Sequence, residues 1–223
     1  MANKHNPGRD PVPKSAEAVV LIHGLWMPAL VMVLLARRLR RAGWATFRFA
    51  YSSRHATLRE NAAALAVFVR RIDVPRVHFV AHSLGGLLLM QLLKDYPDLP
   101  PGRVVLLGTP YRGSHVAMRL SHHAWGRWLC GLSLDGALLG DGPRWTGGRE
   151  LGIIAGNLPI GAGWIISGLA KPNDGTVAVA ETMVAERSDA ITLPVTHSGL
   201  VFSTAVARQV VGFLNTGSFQ HQA

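Results

Sequence analysis

Apolar residues along this chain are concentrated in short blocks. Residues 18–22 (AVVLI), 45–49 (ATFRF), 77–81 (VHFVA), 103–107 (RVVLL), 151–155 (LGIIA) and 190–193 (AITL) each predict a strand, and 18–22 has the unbroken apolar pattern of one buried on both faces. The stretches between them read as helices. Pro28 opens one at a position where its missing N–H costs little; it runs to about Arg41, basic in its last turn, and Gly43 ends it. Thr57-Leu58-Arg59-Glu60 has capping-box spacing and predicts a helix continuing to about Arg71. Residues 84–96 are apolar nearly all round, as in a helix packed against a sheet, and Pro97, Pro100 and Pro101 close it. Residues 176–184 and 199–214 predict two more helices. Strand and helix alternating at this pitch predict an α/β fold with about six strands, mostly parallel, and helices on both faces.

The rhythm breaks over residues 111–149, which hold Trp125, Trp128 and Trp145 with several leucines among many glycines. This predicts a small cap-like insertion over the carboxyl edge of the sheet. Side chains completing the core from the side have the same composition, so both readings stand. Residues 17–215 are expected to form one domain, with a flexible polar tail at 1–16, broken by Pro7, Pro11 and Pro13, and a C-terminal tail at 216–223.

Composition narrows the function classes. The chain has 223 residues, 48% hydrophobic and only 16% charged, which excludes a disordered protein. Cys130 is the single cysteine, so no internal disulfide is expected. The N-terminal residues lack a signal-peptide pattern, and the apolar stretches 29–36 and 160–170 are too short to span a bilayer, so a cytoplasmic protein is the expectation. The net charge of +10 reads either as a plain basic surface or as attraction to anionic membrane surfaces or acidic substrates. The arginines are dispersed apart from doublets near helix ends, and no nucleic-acid recognition motif is visible. His122-His123 lacks metal-ligand spacing, and no metal or cofactor is expected.

The candidate chemistry centres on residues 77–90, VHFVAHSLGGLLLM. Ser83 falls on the turn between a strand and a helix, with small residues two positions either side (Ala81 and Gly85). Backbone crowds a serine on such a turn, and the helix start behind it offers free N–H groups to a developing oxyanion. The same serine could merely cap the helix. A nucleophilic serine needs a base and an orienting acid. Among the histidines after Ser83, His197 alone stands in a loop between a final strand and a final helix. Asp174, in Asn173-Asp174-Gly175, is the best acid between them, with Asp189 as runner-up. Backbone N–H groups of Leu84 and of Leu25, in the loop after the first strand, are the expected oxyanion donors. Trp26 and Tyr111 are candidate substrate-binding residues.

The set HGLW, AHSLGG, LGTPYRGS, NDGTV and the late His197 resembles the α/β-hydrolase superfamily, and within it compact bacterial lipases and esterases and relatives of GPI inositol-deacylases. The resemblance covers residues 18–214. It implies Ser83 as nucleophile, Asp174 as acid, His197 as base, and Leu25 and Leu84 as oxyanion donors. Ala81 stands where the usual elbow has glycine. The chain begins directly at the HG-bearing strand, so two leading strands of larger members are absent. The expected activity is hydrolysis of small-molecule or lipid carboxylic esters through an acyl-enzyme. Thioesterase or acyltransferase activity on the same triad is the alternative among enzymes, and a non-catalytic binder of anionic membranes or a protein partner is the alternative outside them.

Overall fold

The apolar blocks become the strands of a single sheet. The computed structural model describes residues 17–124, 128, 131–134, 137–161 and 168–221; the N-terminal segment 1–16, Trp125 and Cys130 lie outside these. The strands are β1 (Glu17–Ile22), β2 (Ala45–Phe49), β3 (Arg76–His82), β4 (Val104–Leu107), β5 (Leu151–Gly156) and β6 (Asp189–Leu193), in the order β2-β1-β3-β4-β5-β6. Every neighbouring pair is parallel.

Helices cover both faces, which explains why the strand blocks need not alternate. Ala18, Val20 and Ile22 of β1 pack with Leu65 and Val69 of α2 (Leu58–Arg70) and Leu88 and Leu92 of α3 (Leu84–Asp95). Val19 and Leu21 point the other way, toward Leu35 and Leu39 of α1 (Val33–Arg41) and Val210 and Phe213 of a C-terminal helix. The capping box of α2 forms as its sequence requires: Thr57 Oγ1 accepts the Glu60 N–H and Glu60 Oε2 accepts the Thr57 N–H.

The helices depart from the sequence reading where side chains compete for the backbone. After Pro28 a 3₁₀ turn (Ala29–Met32) precedes α1. Beyond α4 (His115–Ser121), the helix expected over 176–184 shrinks to α5 (Val179–Thr182). Its first residues are drawn into a loop, where Asp174 Oδ1 accepts the N–H groups of Thr176 and Val177 at 3.0 and 2.7 Å. The last helix divides into α6 (Gly199–Phe202) and α7 (Thr204–Thr216), because Ser203 turns extended and caps the second piece. Within the stretch read as a tail, Phe219 is buried on Phe213, ring centroids 4.8 Å apart, and His221 Nε2 reaches Asp189.

The segment 111–149 does two jobs. Trp145 is buried in the core beneath α2 and α3, whereas Ala117 of α4 and Leu138 cover Leu84 and Leu87 at the start of α3. Trp128 is exposed. Among the described residues no helix is long and apolar enough to cross a membrane.

The sheet order sets the place for chemistry. The chain steps from β1 outward to β2, then returns to β3 on the other side of β1. The crevice at such a reversal, beyond the carboxyl ends of the strands, is where α/β sheets bind ligands. Ile22 pairs with Ala81, so two residues further on Gly24 faces Ser83.

The opposite end of the sheet is fastened by Arg149. Its guanidinium donates to the carbonyls of Val77, Leu99, Pro100 and Gly102 and lies over the Phe79 ring at 5.3 Å. Burial lowers its pKa to about 10, which still leaves it charged at neutral pH. Arg149→Met keeps the stem but strands these acceptors, and is expected to cost about 2–3 kcal/mol by urea unfolding; an unchanged midpoint would show that water replaces the guanidinium without loss.

Candidate active site

Three strand ends bring the candidate residues together. Ser83 follows β3 directly and has φ 53° and ψ −124°, a combination that a residue with a side chain adopts only under constraint. The constraint comes from both sides: the Ser83 N–H donates to Leu107 O of β4, and the Ser83 carbonyl accepts the Gly86 N–H inside the first turn of α3. The turn carries α3 back so closely that a Cβ on Gly85 would overlap the His23 carbonyl, which is why the position after the elbow must be glycine. Ala81, by contrast, is fully buried in the core on the α2–α3 face, so its methyl is accommodated.

His197 Nε2 lies 2.9 Å from Ser83 Oγ, and His197 Nδ1 lies 2.7 Å from Asp174 Oδ2. With Nδ1–H donating to the carboxylate, Nε2 presents its lone pair to the serine hydroxyl. Asp174 is buried, and its other oxygen is held by the N–H groups of Thr176 and Val177, so the carboxylate cannot rotate away. One oxygen of Asp174 therefore holds the turn and the other meets His197. The backbone closes the same loop, with the His197 N–H on Asp174 O at 2.9 Å. Asp189, the other acid weighed from sequence, opens β6 at the far end of the sheet, where it accepts the Phe219 N–H and meets His221.

The loop after β1 abuts the serine. A Cβ on Gly24 would stand 3.1 Å from Ser83 Cβ and 3.0 Å from His82 Nδ1. Leu25 packs into the apolar cluster of Leu84 and Leu87. Leu84 begins α3, so its N–H is among the four that a helix leaves without an internal acceptor. The loop is braced by His23, whose ring stacks on Tyr51 at 4.3 Å and whose carbonyl accepts the Tyr51 hydroxyl at 2.9 Å. Trp26 has φ 58°, gives its N–H to Ser53 Oγ at 3.3 Å, and leaves its indole half exposed. Tyr111 sits elsewhere: it packs against the core, accepts the Trp145 N–H, and carries Arg144 over its ring.

Sequence reasoning overlooked two supports. One is Tyr51 with Ser53, just beyond β2; the signal was their place at the carboxyl end of the strand beside β1. The other is Gly108, just beyond β4, with φ 56°. A Cβ there would lie 3.1 Å from His197 Nδ1 and 3.2 Å from Asp174 Oδ2, against the very bond that joins them. Gly108→Ala is expected to lower kcat at least tenfold by prising this pair apart, measured as turnover of a chromogenic ester by folded protein; full activity would mean that the pair tolerates the displacement.

His82 supports His197 from behind. Its Nε2–H donates to the His197 carbonyl at 3.0 Å, and its ring lies 4.7 Å from the His197 ring. Nδ1 is buried with no partner among the described residues, so a second proton would have no acceptor. Burial, helped by the neighbouring His197, lowers its pKa from the usual 6.5 to about 3. Burial also lowers the pKa of His23 and of His78. The unfolded chain gains protons at these rings as the pH falls through about 6.5, while the folded chain takes them up only at lower pH. Their stabilising effect is therefore complete above pH 6.5 and is lost as the pH falls from there toward 3. Urea midpoints are expected to drop between pH 7.5 and pH 5, and less so in His82→Gln; equal midpoints at both pH values would contradict this.

The model of the alpha/beta hydrolase family matches residues 19–212, and the chain belongs to that family. The chain is similar to a Bacillus licheniformis lipase: against its propeptide form the TM-score is 0.77 at 21% identity over 98% of this chain and 55% of that one, and against its mature form 0.73 at 21% identity over 96% and 99%. It is also similar to a metagenomic carboxyl esterase (TM-score 0.68, 19% identity, 88% of this chain and 69% of that one). A thioesterase of prodiginine biosynthesis from Streptomyces coelicolor shares the fold as well (0.61, 13%, 97% and 91%). No curated protein matches the sequence.

Proposed function

We propose that the protein is a serine hydrolase that cleaves carboxylic esters through an acyl-enzyme. The observation that carries this reading is the continuous chain from Ser83 Oγ through His197 to a buried, doubly anchored Asp174. A serine hydroxyl is a weak nucleophile at neutral pH, and a base in hydrogen-bond contact removes that limit. Ser83 Oγ attacks the ester carbonyl while its proton passes to His197 Nε2. Asp174 stabilises the imidazolium across the Nδ1–H bond without taking the proton. The N–H groups of Leu84 and Leu25 receive the tetrahedral oxyanion; losing one donor of this kind typically costs 10²–10³-fold in kcat. His197 then gives its proton to the departing alcohol. Water attacks the acyl-enzyme by the same route, releasing the acid and restoring Ser83.

The lipase, esterase and thioesterase likenesses agree with an acyl-transfer enzyme, and their names leave ester and thioester substrates both in view. The helix α4 and Leu138, seated over Leu84 and Leu87, give the acyl side an apolar wall.

Ser83→Ala is expected to abolish turnover of p-nitrophenyl esters, by at least 10³-fold, while the thermal unfolding curve keeps its cooperativity. A fluorophosphonate should label wild type at Ser83 alone. Retained hydrolysis in a clean Ser83→Ala preparation would sink the proposal. Parallel assays with acyl-thioesters of matched chain length rank the leaving groups.

A further inference from the structure

One apolar surface is left over by both the core and the proposed chemistry. Residues 29–36 form an unbroken apolar run, but only part of it faces inward. Met32, Leu35 and Ala36 are buried, whereas Leu30 is 70% exposed and Leu34 38%. Phe202, 46% exposed, ends α6, and its carbonyl accepts a hydrogen bond from the Arg38 guanidinium of α1. Leu30, Leu34 and Phe202 thus make an apolar shoulder beside the β1 loop that carries Leu25 and the half-exposed Trp26.

Charge on this shoulder has one sign. Residues 18–59 contain seven arginines and no aspartate or glutamate, and residues 190–223, which include Phe202, contain no acidic residue either. At 3.6 residues per turn, Leu34, Arg37 and Arg41 share one side of α1, and Leu30 lies in the 3₁₀ turn that leads into it. The exposed stripe so passes from leucine, nearest the site, to arginine two turns further from it. Arg37 and Arg41 are exposed, and Arg48 reaches across from β2 to the carbonyl of Ala29. An apolar tip backed by arginines matches an anionic bilayer in depth: apolar side chains enter the acyl boundary while the cations remain among the phosphates. A protein partner would instead require acidic side chains around an apolar centre.

We propose that this shoulder docks the protein on an anionic lipid surface. Leu30, Leu34 and Phe202 enter between the headgroups, Arg37 and Arg41 pair with lipid phosphates, and the carboxyl edge of the sheet turns toward the bilayer. This goes beyond ester hydrolysis and does not depend on it, so Ser83→Ala protein docks as wild type does.

The test is co-sedimentation of the full chain with vesicles of phosphatidylcholine alone and of phosphatidylcholine with phosphatidylglycerol in equal parts. Binding is expected only to the mixed vesicles. The triple variant Leu30→Ser, Leu34→Ser, Phe202→Ser is expected to bind at least about tenfold more weakly, since apolar burial sets interfacial affinity. Arg37→Gln with Arg41→Gln should lose roughly fivefold per charge. Val67→Ser, on α2 away from this face, should bind as wild type does. Circular dichroism melts check that each variant is folded, and the single substitutions Leu30→Ser and Phe202→Ser carry the test if the triple variant is not. Undiminished binding by folded variants overturns the proposal in favour of adsorption through net charge. Equal binding to both vesicles, or none to either, also overturns it. So does a wild-type dimer that the serine substitutions convert to monomer, which would make the face a contact between copies.

Discussion

The parallel pairing of β1 with β3 is the constraint on which the rest of the site depends. Register places Ile22 beside Ala81, and from that alone Gly24 must pass Ser83 at van der Waals distance. Two consequences follow in opposite directions along the chain. After β3, the backbone has to reverse into α3 within one residue, and the left-handed conformation of Ser83 is the cost of that reversal, of the order of 1–3 kcal/mol. After β1, the absence of a side chain at Gly24 lets the chain pass close to Ser83. The neighbours of Ser83 are small for a steric reason that the sheet imposes.

A second layer of contacts fixes where His197 stands. His197 is held by its backbone on Asp174 and on His82, and by its ring between Asp174 Oδ2 and Ser83 Oγ. His82 and Ser83 come from the end of β3, Asp174 from the segment after β5, and His197 itself follows β6, so the arrangement exists only when these strand ends are assembled. Gly108, at the end of β4, lies under the ring–carboxylate bond and completes the enclosure. The burial that makes this geometry rigid also keeps His82 neutral, because a charged ring would have a second N–H with no acceptor. Rigidity of the site and sensitivity of the fold to acid are therefore two results of one packing choice.

The molecule is asymmetric from end to end. The amino edge of the sheet is closed by Arg149, whose guanidinium gathers four backbone carbonyls. The carboxyl edge carries the proposed triad, and Leu30, Leu34 and Phe202 stand exposed on the segments that follow β1 and β6. A hydrolase of water-soluble esters has no need of such an edge, and this contrast motivates the lipid-docking proposal.

The sequence alone determined the alternation of strands and helices and the sharp strand-to-helix turn at Ser83. These depend on short-range pattern: apolar blocks, caps, and small residues around a sharp turn. Tertiary structure decided the matters that pattern leaves degenerate. Asp174 and Asp189 are both aspartates in the right interval, and only the sheet shows that they lie at opposite ends of it. The helix expected over 176–184 lost its first turn because Asp174 Oδ1 holds two of the N–H groups there. The C-terminal residues dock because Phe219 finds Phe213, a contact between residues whose sequence gives no period to read. Likewise the run 29–36 is uniformly apolar in sequence, and only its packing on β1 separates the buried Leu35 from the exposed Leu30. Hydrophobicity is a property of each residue, but burial belongs to the neighbours that the fold supplies.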